Sequence, residues 1–592
     1  MSWGPRKGKE ARGVVFIAYN ASIAEQFEVI QGWLAGGNSS GLLLYSGKRD
    51  PLLGVPLAGD PELFHLDSGS KALFLPSKDR PFARLEWGMY LFVPSMPALV
   101  ELRALADEAV SLDDAIDGQK SDERERRQRQ TRTDMVQAGA ALINQLRRAE
   151  QVQSLEATRD LWKTALEDVS SRLSGAGEAT WAAVADVHGG VLRTPYGVLV
   201  GGAKQVQEVL ADTQRYTASG YNHRLKRSFG EIFLGMDDRP DSEYALQARP
   251  IVAALQSISE ADAFAAAYHQ TRQVVKAAID GVTASGTRRV EVRDLVDATL
   301  ADLSLYWFGI PDGTHVVAGG WHWRDQATCP GHFVAPSRYT FQPNPGPEVE
   351  RIGQAHGRQL ARKVGAWFQR LPIGYAHTPI VQAIVNTTPQ DVDNQVRNLV
   401  GVMMGFLPTV DGNLRSALWE WVEDCSLWKL QLDLLGSLGA ADLALADAVL
   451  PAARKALTMP LARTLHLRPV PEVIWRTVIK GHQLGGVDVQ PGDTVVVGLV
   501  GALQQRLAKE KLDLSFLFGG YRKGAGGSAD ETDLSLLMNP DDAGRPTATP
   551  THACPAHRMA WGVMLGFLAG LLCSARLRPT LTSLSLQIGP SP

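Results

Sequence analysis

The chain has 592 residues, 45% of them apolar and 21% charged, with a formal net charge of -3. This length implies more than one domain, and so small a charge excludes a strong electrostatic pull toward nucleic acid or anionic lipid. Four cysteines, Cys329, Cys425, Cys554 and Cys573, are too few for a disulfide framework and read as those of a reducing, cytoplasmic protein, and the opening Met-Ser-Trp-Gly-Pro-Arg-Lys has no signal-peptide character.

In chain order, residues 12–19 predict a buried strand. Ser22 and Glu25 form a capping box, and Ile23, Phe27, Ile30 and Leu34 continue at helical spacing. A second strand-plus-helix unit is predicted from Phe82 to Val93 and from Pro94 to Ala106, making 1–118 a small α+β module. Residues 119–133 contain no apolar side chain. Their interleaved acids favour a solvated linker or exposed helix over an RNA-binding patch, so 119–155 reads as polar linker and helix. From 156 to 592 helical patterns dominate, interrupted by β-like pieces at Val191–Val200 and Thr494–Gly498. A long helix is expected from about Pro389 into the 420s, kinked where Pro408 leaves the Met404 carbonyl without its helical partner. Gly519–Asp542 reads as a loop.

The apolar run Met559–Cys573 is 15 residues long, short of the ~20 a helix needs to span a bilayer. Gly562, Gly566 and Gly570 recur every four residues along it, which predicts close approach to a flat neighbour inside the protein. Just before this run, Thr551-His-Ala-Cys-Pro-Ala brings Cys554 out of a loop to a helix start, where free N–H groups favour anionic sulfur. Cys554 is therefore the candidate thiolate ligand. Cys329-Pro-Gly-His is a similar sequence, but Pro336 is expected to block a helix after it. Gly37-Asn-Ser-Ser-Gly41 has helix before and strand after, the reverse of a nucleophile elbow. A zinc site from His552, Cys554 and His557 with a distant fourth ligand such as His332 has poor spacing.

Two resemblances follow. Arg12–Gln31, Asp50-Pro-Leu-Leu-Gly54 and Gly88-Met-Tyr-Leu-Phe-Val-Pro-Ser95 resemble the C-terminal part of dye-decolorizing (DyP-type) peroxidases. That implies a partial α+β, ferredoxin-like module. The family's Gly-x-x-Asp-Gly motif and proximal histidine come upstream of such a segment, and the only histidine before residue 188 is His65. The module would thus be a remnant without its own heme, or one completed by an upstream peroxidase half on another polypeptide.

Leu192–Val200, Val209–Tyr216, Gly405-Phe-Leu-Pro-Thr409, Arg468–Arg476, Val489–Val497 and Thr551–Ala556 resemble, in that order, segments of a cytochrome P-450. The resemblance implies a mainly α fold with small β-sheets over about 156–592, binding heme b. Cys554 would be the axial ligand of the heme iron. Arg476 and His552 would lie toward the propionates, and Gly405 and Thr409 would face the distal side. Thr409 is equally readable as a back-bonded threonine in a kinked core helix. His466, with Arg463, occupies the place of the family's Glu-x-x-Arg pair and is counted with the cofactor-binding residues. Thr547 and Ala556 stand where the family has Phe and Gly, and Pro408 stands where an acid precedes the threonine. Cleaving dioxygen needs two electrons and two protons, which peroxide already carries. The expectation is a heme-thiolate monooxygenase or peroxygenase acting on a small organic or lipid-like substrate. Its oxidant would be peroxide, a hydroperoxide, or dioxygen with an electron-transfer partner. The alternative is a catalytically degenerate scaffold that binds heme or ligand and assembles with a partner.

Overall fold

The structure, a computed structural model, describes residues 63–65, 72–74, 119–167, 176–230, 232–239, 242–283, 286–309, 329–369, 378–424, 426–439, 441–519, 537, 550–578 and 585–590. The elements expected at 12–19, 22–34 and 82–106, all three segments of the peroxidase resemblance, Gly37–Gly41 and nearly all of Gly519–Asp542 lie outside these residues. The chain divides into two compact units, Met1–Gly118 and Gln119–Pro592. In the first, strands β1 (Leu63–His65) and β2 (Ala72–Phe74) pair antiparallel.

The second unit opens with helices α1 (Gln119–Glu150), α2 (Leu155–Glu167) and α3 (Ala176–Asp186), then the hairpin β3 (Val191–Thr194) and β4 (Gly197–Val200). Next come α4 (Ala203–Ala211), β5 (Tyr216–Thr217), α5 (Ser219–Ser228), α6 (Tyr244–Gln256), α7 (Glu260–Ala278), β6 (Arg288–Glu291) and α8 (Val292–Phe308). A helical stretch follows: α9 (Val334–Phe341), α10 (Pro347–Phe368), α11 (Pro379–Thr387), α12 (Val392–Glu423), α13 (Ser426–Leu435) and α14 (Ala446–Leu467). The chain closes with β7 (Val473–Val478), β8 (His482–Leu484), β9 (Val487–Val489), β10 (Thr494–Gly498), α15 (Leu499–Leu507), α16 (His557–Ser574), β11 (Ala575–Arg578) and β12 (Ser585–Pro590). The unit is mainly helical, with a five-stranded sheet in the order β3-β4-β10-β7-β5, a three-stranded sheet β11-β12-β6 and the hairpin β8-β9.

The polar stretch after residue 118 is helical. Beyond its charged first half, α1 turns amphipathic: Ile143 and Leu146 are buried with Trp162 of α2 and Trp181 of α3. The β-like Val191–Val200 forms the first hairpin, and β10 lies parallel to β4 and antiparallel to β7. Valines at alternate positions of β4 and β10 fill the layer between sheet and helix α4.

The long helix forms as α12, starting at Val392 because the Asp391 side chain caps it through the Asn394 N–H at 2.9 Å. Leu399, Met403, Leu407 and Leu414 on this helix are fully buried. Pro336 does not prevent a helix. It is the third residue of α9, in the first turn, where a missing N–H breaks no helical bond.

The glycine register of α16 has a physical cause. A Cβ at Gly562, Gly566 or Gly570 would lie 2.3, 2.4 or 2.9 Å from the carbonyl oxygens of Glu260, Phe264 and Tyr268 on α7. The two helices touch backbone to backbone, and this seam seats the N-terminal end of α16, where the Cys554 loop enters. Among the described residues no helix is long and apolar enough to cross a membrane.

Candidate functional site around Cys554

Cys554 lies in the turn Pro550–Ala556, ahead of α16. Its N–H donates to the Phe518 carbonyl at 2.9 Å, and its own carbonyl meets Nδ1 of His557 at 3.1 Å. The half-buried side chain rests against the main apolar core, and the Ala556 N–H is aimed at its sulfur. Burial pushes the thiol up to about 11, and that one N–H only partly opposes it. This modifies the sequence expectation. The helix begins at His557, three residues on, so its free N–H groups do not by themselves make an anion here. A metal ion at the sulfur would supply the missing charge, because coordination deprotonates a thiol.

Two residues before the cysteine, the His552 Nε2–H donates to Asp237 Oδ1 at 3.0 Å. Asp237 also accepts from the Thr217 hydroxyl and from the Ala218 N–H at 3.1 Å, and it pairs with Arg239 at 3.2 Å. Burial alone would raise this carboxyl, but the donors from His552, Thr217 and Ala218 outweigh it and hold it at about 2. Burial lowers His552 too, helped by the nearby Arg476 charge and opposed by Asp237. A neutral ring gives its single N–H to Asp237, leaving an acceptor at Nδ1, so only the protonated ring could also donate to a carboxylate.

Arg476 is the stronger anion donor. It is 8% exposed, and Nη1 reaches only the Tyr221 hydroxyl at 3.3 Å and the Trp475 carbonyl at 2.9 Å. Among the described residues it makes no ion pair with a carboxylate. A buried guanidinium with neutral partners alone is costly unless an anion completes it. Strand β7 fixes the backbone through Val495, and Tyr221 holds both the Trp475 N–H (2.9 Å) and the guanidinium. Asp237 also borders a cleft of about 610 Å³, lined by Thr217, Asn222, Arg239, Glu243 and Ile479 among others.

Gly405 and Thr409 lie one turn apart on α12. Gly405 is exposed among buried neighbours, and a Cβ there would meet nothing within 4 Å. The half-buried Thr409 hydroxyl makes no hydrogen bond among the described residues, so the back-bonded arrangement does not occur. Gly412, the next residue of this face, packs on Val470, and Asn413 clamps the Val470 N–H and carbonyl, each at 3.0 Å. Val470 leads into β7 and Arg476.

His466 requires a correction. It is fully buried at the end of α14, its Nδ1 bonded to the Ala462 carbonyl at 2.7 Å. Its Nε2 accepts the Asp513 N–H at 2.8 Å. Both nitrogens are committed to main chain, so none is left for a cofactor.

The other metal alternatives also resolve. Lys363 lies 2.8 Å from His332 Nε2, and the described residues hold no group of three or more His, Cys, Asp or Glu suited to a metal ion. Cys329 is buried beside Asp297, and its thiol is raised by burial. Asp237, Tyr221 and Phe518 escaped sequence reasoning. Asp237 is 315 residues from His552, and no local pattern marks the pair.

No family model matches the chain, and no curated protein matches it. Solved structures similar to it include a cytochrome P450DA mutant heme domain, at 13% identity over 72% of this chain and 95% of that one, with a TM-score of 0.49. CalO2 is 16% identical over 72% of this chain and 98% of its own, with a TM-score of 0.48. A mutant of P450 EryK in complex with erythromycin B is 13% identical over 72% and 97%, with a TM-score of 0.46.

Proposed function

We propose that the second unit is a heme-thiolate oxidoreductase of the cytochrome P-450 type, binding heme b through Cys554. The observation that carries this reading is the buried guanidinium of Arg476, which makes no ion pair with a carboxylate among the described residues and whose charge is felt at His552, two residues before the loop cysteine Cys554. Heme presents both an iron and carboxylates.

Bound there, heme with a thiolate ligand supplies the electron push that favours O–O cleavage. Cys554 would hold the iron through its sulfur, its loop kept in place by the Phe518 carbonyl and the His557 ring. Arg476 would pair with a carboxylate of the bound group, with Tyr221 fixing the direction of the guanidinium. His552 acts mainly through Asp237, anchoring the ligand loop to the end of β5. Thr409 offers an uncommitted hydroxyl to the oxidant or a water.

Pro408, not an acid, stands immediately before Thr409 on α12, and the nearest acid along the helix, Asp411, is buried and paired with Arg415. Weak proton delivery favours peroxide or a hydroperoxide over dioxygen, with a small organic or lipid-like substrate. In the dioxygen case an electron-transfer partner would be required. The N-terminal module is proposed as a DyP-type segment.

The test is heme content together with the carbon monoxide spectrum of the reduced protein. The red-shifted thiolate band is expected, and its absence refutes the reading. Stopped-flow mixing of ferric protein with hydrogen peroxide or a fatty-acid hydroperoxide then identifies the oxidant. Turnover with a ferredoxin system and no peroxide consumption would reverse that choice. One observation favours the degenerate scaffold: the sulfur receives a single N–H and its thiol stands near 11. A protein that binds heme without the thiolate band would be that scaffold.

A further inference from the structure

Helices α8 and α12 pack against each other, and their contact holds two carboxylates that the proposed function does not use. Asp297 on α8 and Asp411 on α12 are each 3% exposed, a depth that acids reach only when they are paired. Each has an arginine one turn away on its own helix. Arg293 Nε lies 3.4 Å from Asp297 Oδ2, and Arg415 Nη2 donates to Asp411 Oδ2. Both arginines reach outward, with 63% and 38% of their side chains exposed. The inner atoms are left over. Asp411 Oδ1 and Arg415 Nε are buried and meet no hydrogen-bond partner among the described residues. A buried carboxylate oxygen without a donor is costly, and a proton relieves it by removing the charge.

The two acids act on one another across the helix contact. Asp297 raises Asp411, and each arginine also acts on the acid of the other helix. Burial is the largest influence on both carboxyls, raising Asp297 and pushing Asp411 up to about 6. The remaining charged or titratable groups around them are Asp294 on α8, Lys363 on α10, and Cys329 and His332 at the turn Pro330–Phe333. The Gly331 N–H is aimed at the Cys329 sulfur, and Arg293 Nη2 would stand 3.5 Å from a Cβ at Gly331. Arg293 therefore joins the acid pair to the turn that leads into α9.

We infer that Asp297 and Asp411 share one proton, and that this buried proton is a pH-sensitive latch holding α8 and α12 against the Cys329 turn. With the proton in place, the pair carries one negative charge between two guanidinium groups. Once it leaves, two like charges are buried together and the contact loosens at the turn. The native pair keeps a proton that the unfolded chain releases near 3.8, so the latch is closed below about pH 6 and opens above it. Nothing in this depends on the reading of Cys554.

The experiment uses the full chain as wild type, Asp297→Asn, Asp411→Asn and the double variant. An amide has the shape of the protonated acid, so the variants imitate the closed latch. Alkylation by iodoacetamide is scored by mass spectrometry from about pH 5 to about pH 7, and the rate at Cys329 is divided by that at Cys573. Burial raises both thiols, so their thiolate fractions climb in step and cancel in the ratio. The wild-type ratio should rise about tenfold on passing pH 6, as for sites that interact by about one pKa unit. Ionised Asp297 would by itself raise the Cys329 thiol further and lower the ratio, so a rise reports opening. In each variant two arginines face at most one acid, and the ratio should stay flat within about twofold. Urea midpoints over the same pH range separate sharing from independent titration. A shared proton makes either single amide flatten the profile nearly as far as the double variant, whereas independent acids give effects that add. A flat wild-type ratio, a wild-type rise retained in Asp297→Asn, or additive single effects would each overturn the inference.

Discussion

Gly566→Ala tests the seam that seats the ligand loop. The added methyl would lie 2.4 Å from the Phe264 carbonyl oxygen and 2.9 Å from Ala267 Cβ, whereas ordinary contact begins at 3.4 Å. The obstructing oxygen belongs to the backbone of α7 and cannot rotate away, so the helices must part by about 1 Å. Gly562 and Gly570 share the seam, so the separation loosens contacts along its whole length. Overpacking of this kind costs about 1–3 kcal/mol, and alanine returns about 1 kcal/mol of helix propensity over glycine. The net expectation is a loss of up to roughly 2 kcal/mol. Gly365→Ala in α10 is the control, because its nearest neighbour, Val396 Cγ1, is at 3.6 Å, an ordinary contact. There only the propensity gain operates, up to about 1 kcal/mol. Urea unfolding followed by tryptophan fluorescence reads both, since the fully buried Trp561 lies on α16. If Gly566→Ala is as stable as Gly365→Ala relative to wild type, so that both variants gain alike, the backbone seam is not what positions α16.

Arg476→Met keeps the bulk and removes the charge. Heme transfer to an acceptor globin should become about tenfold faster or more, as for the loss of a buried charge-assisted pair, and an unchanged rate would remove Arg476 from the cofactor site. Thr409→Val deletes a hydroxyl that has no partner among the described residues, so the urea midpoint should hold while peroxide consumption falls about tenfold, within the usual range for a positioned proton-transfer group. Equal consumption would return Thr409 to the packing of α12. Asp411→Asn addresses pH: burial pushes this carboxyl from 3.8 up to about 6, against the pull of Arg415 and with Asp297 adding to the rise. The native state then holds a proton that the unfolded chain has released, so stability falls as pH rises from about 4 to about 6. The amide should flatten that stretch of a plot of urea midpoint against pH, and an unaltered slope would show that Asp411 ionises normally.

What could be read from the sequence depended on how far apart the interacting residues lie. The glycine register of α16 and the proline-bearing α12 each depend on residues within one or two turns, where periodicity and spacing are visible. Pro336 shows the limit of that local grammar. The residue is in the helix, and only its place in the first turn makes it harmless. The site is legible only in part for the same reason. Cys554 and Arg476 stood out from the segments around them, but the partners that give each its chemistry come from far along the chain. Asp237 reaches His552 across 315 residues, and the Asp513 N–H reaches His466 across 47.

His466 is the instructive case, because its position along α14 pointed to the cofactor and its surroundings point away from it. A histidine earns a ligand or anion role from a free nitrogen, and full burial between two main-chain partners removes both. The helix-start rule fails at Cys554 for a related reason: one N–H at the sulfur is outweighed by burial. The chemistry proposed for this chain therefore depends less on the cysteine than on the buried charge of Arg476. A neutral thiol is content in an apolar loop without any cofactor, whereas a buried guanidinium that meets no carboxylate among the described residues is costly.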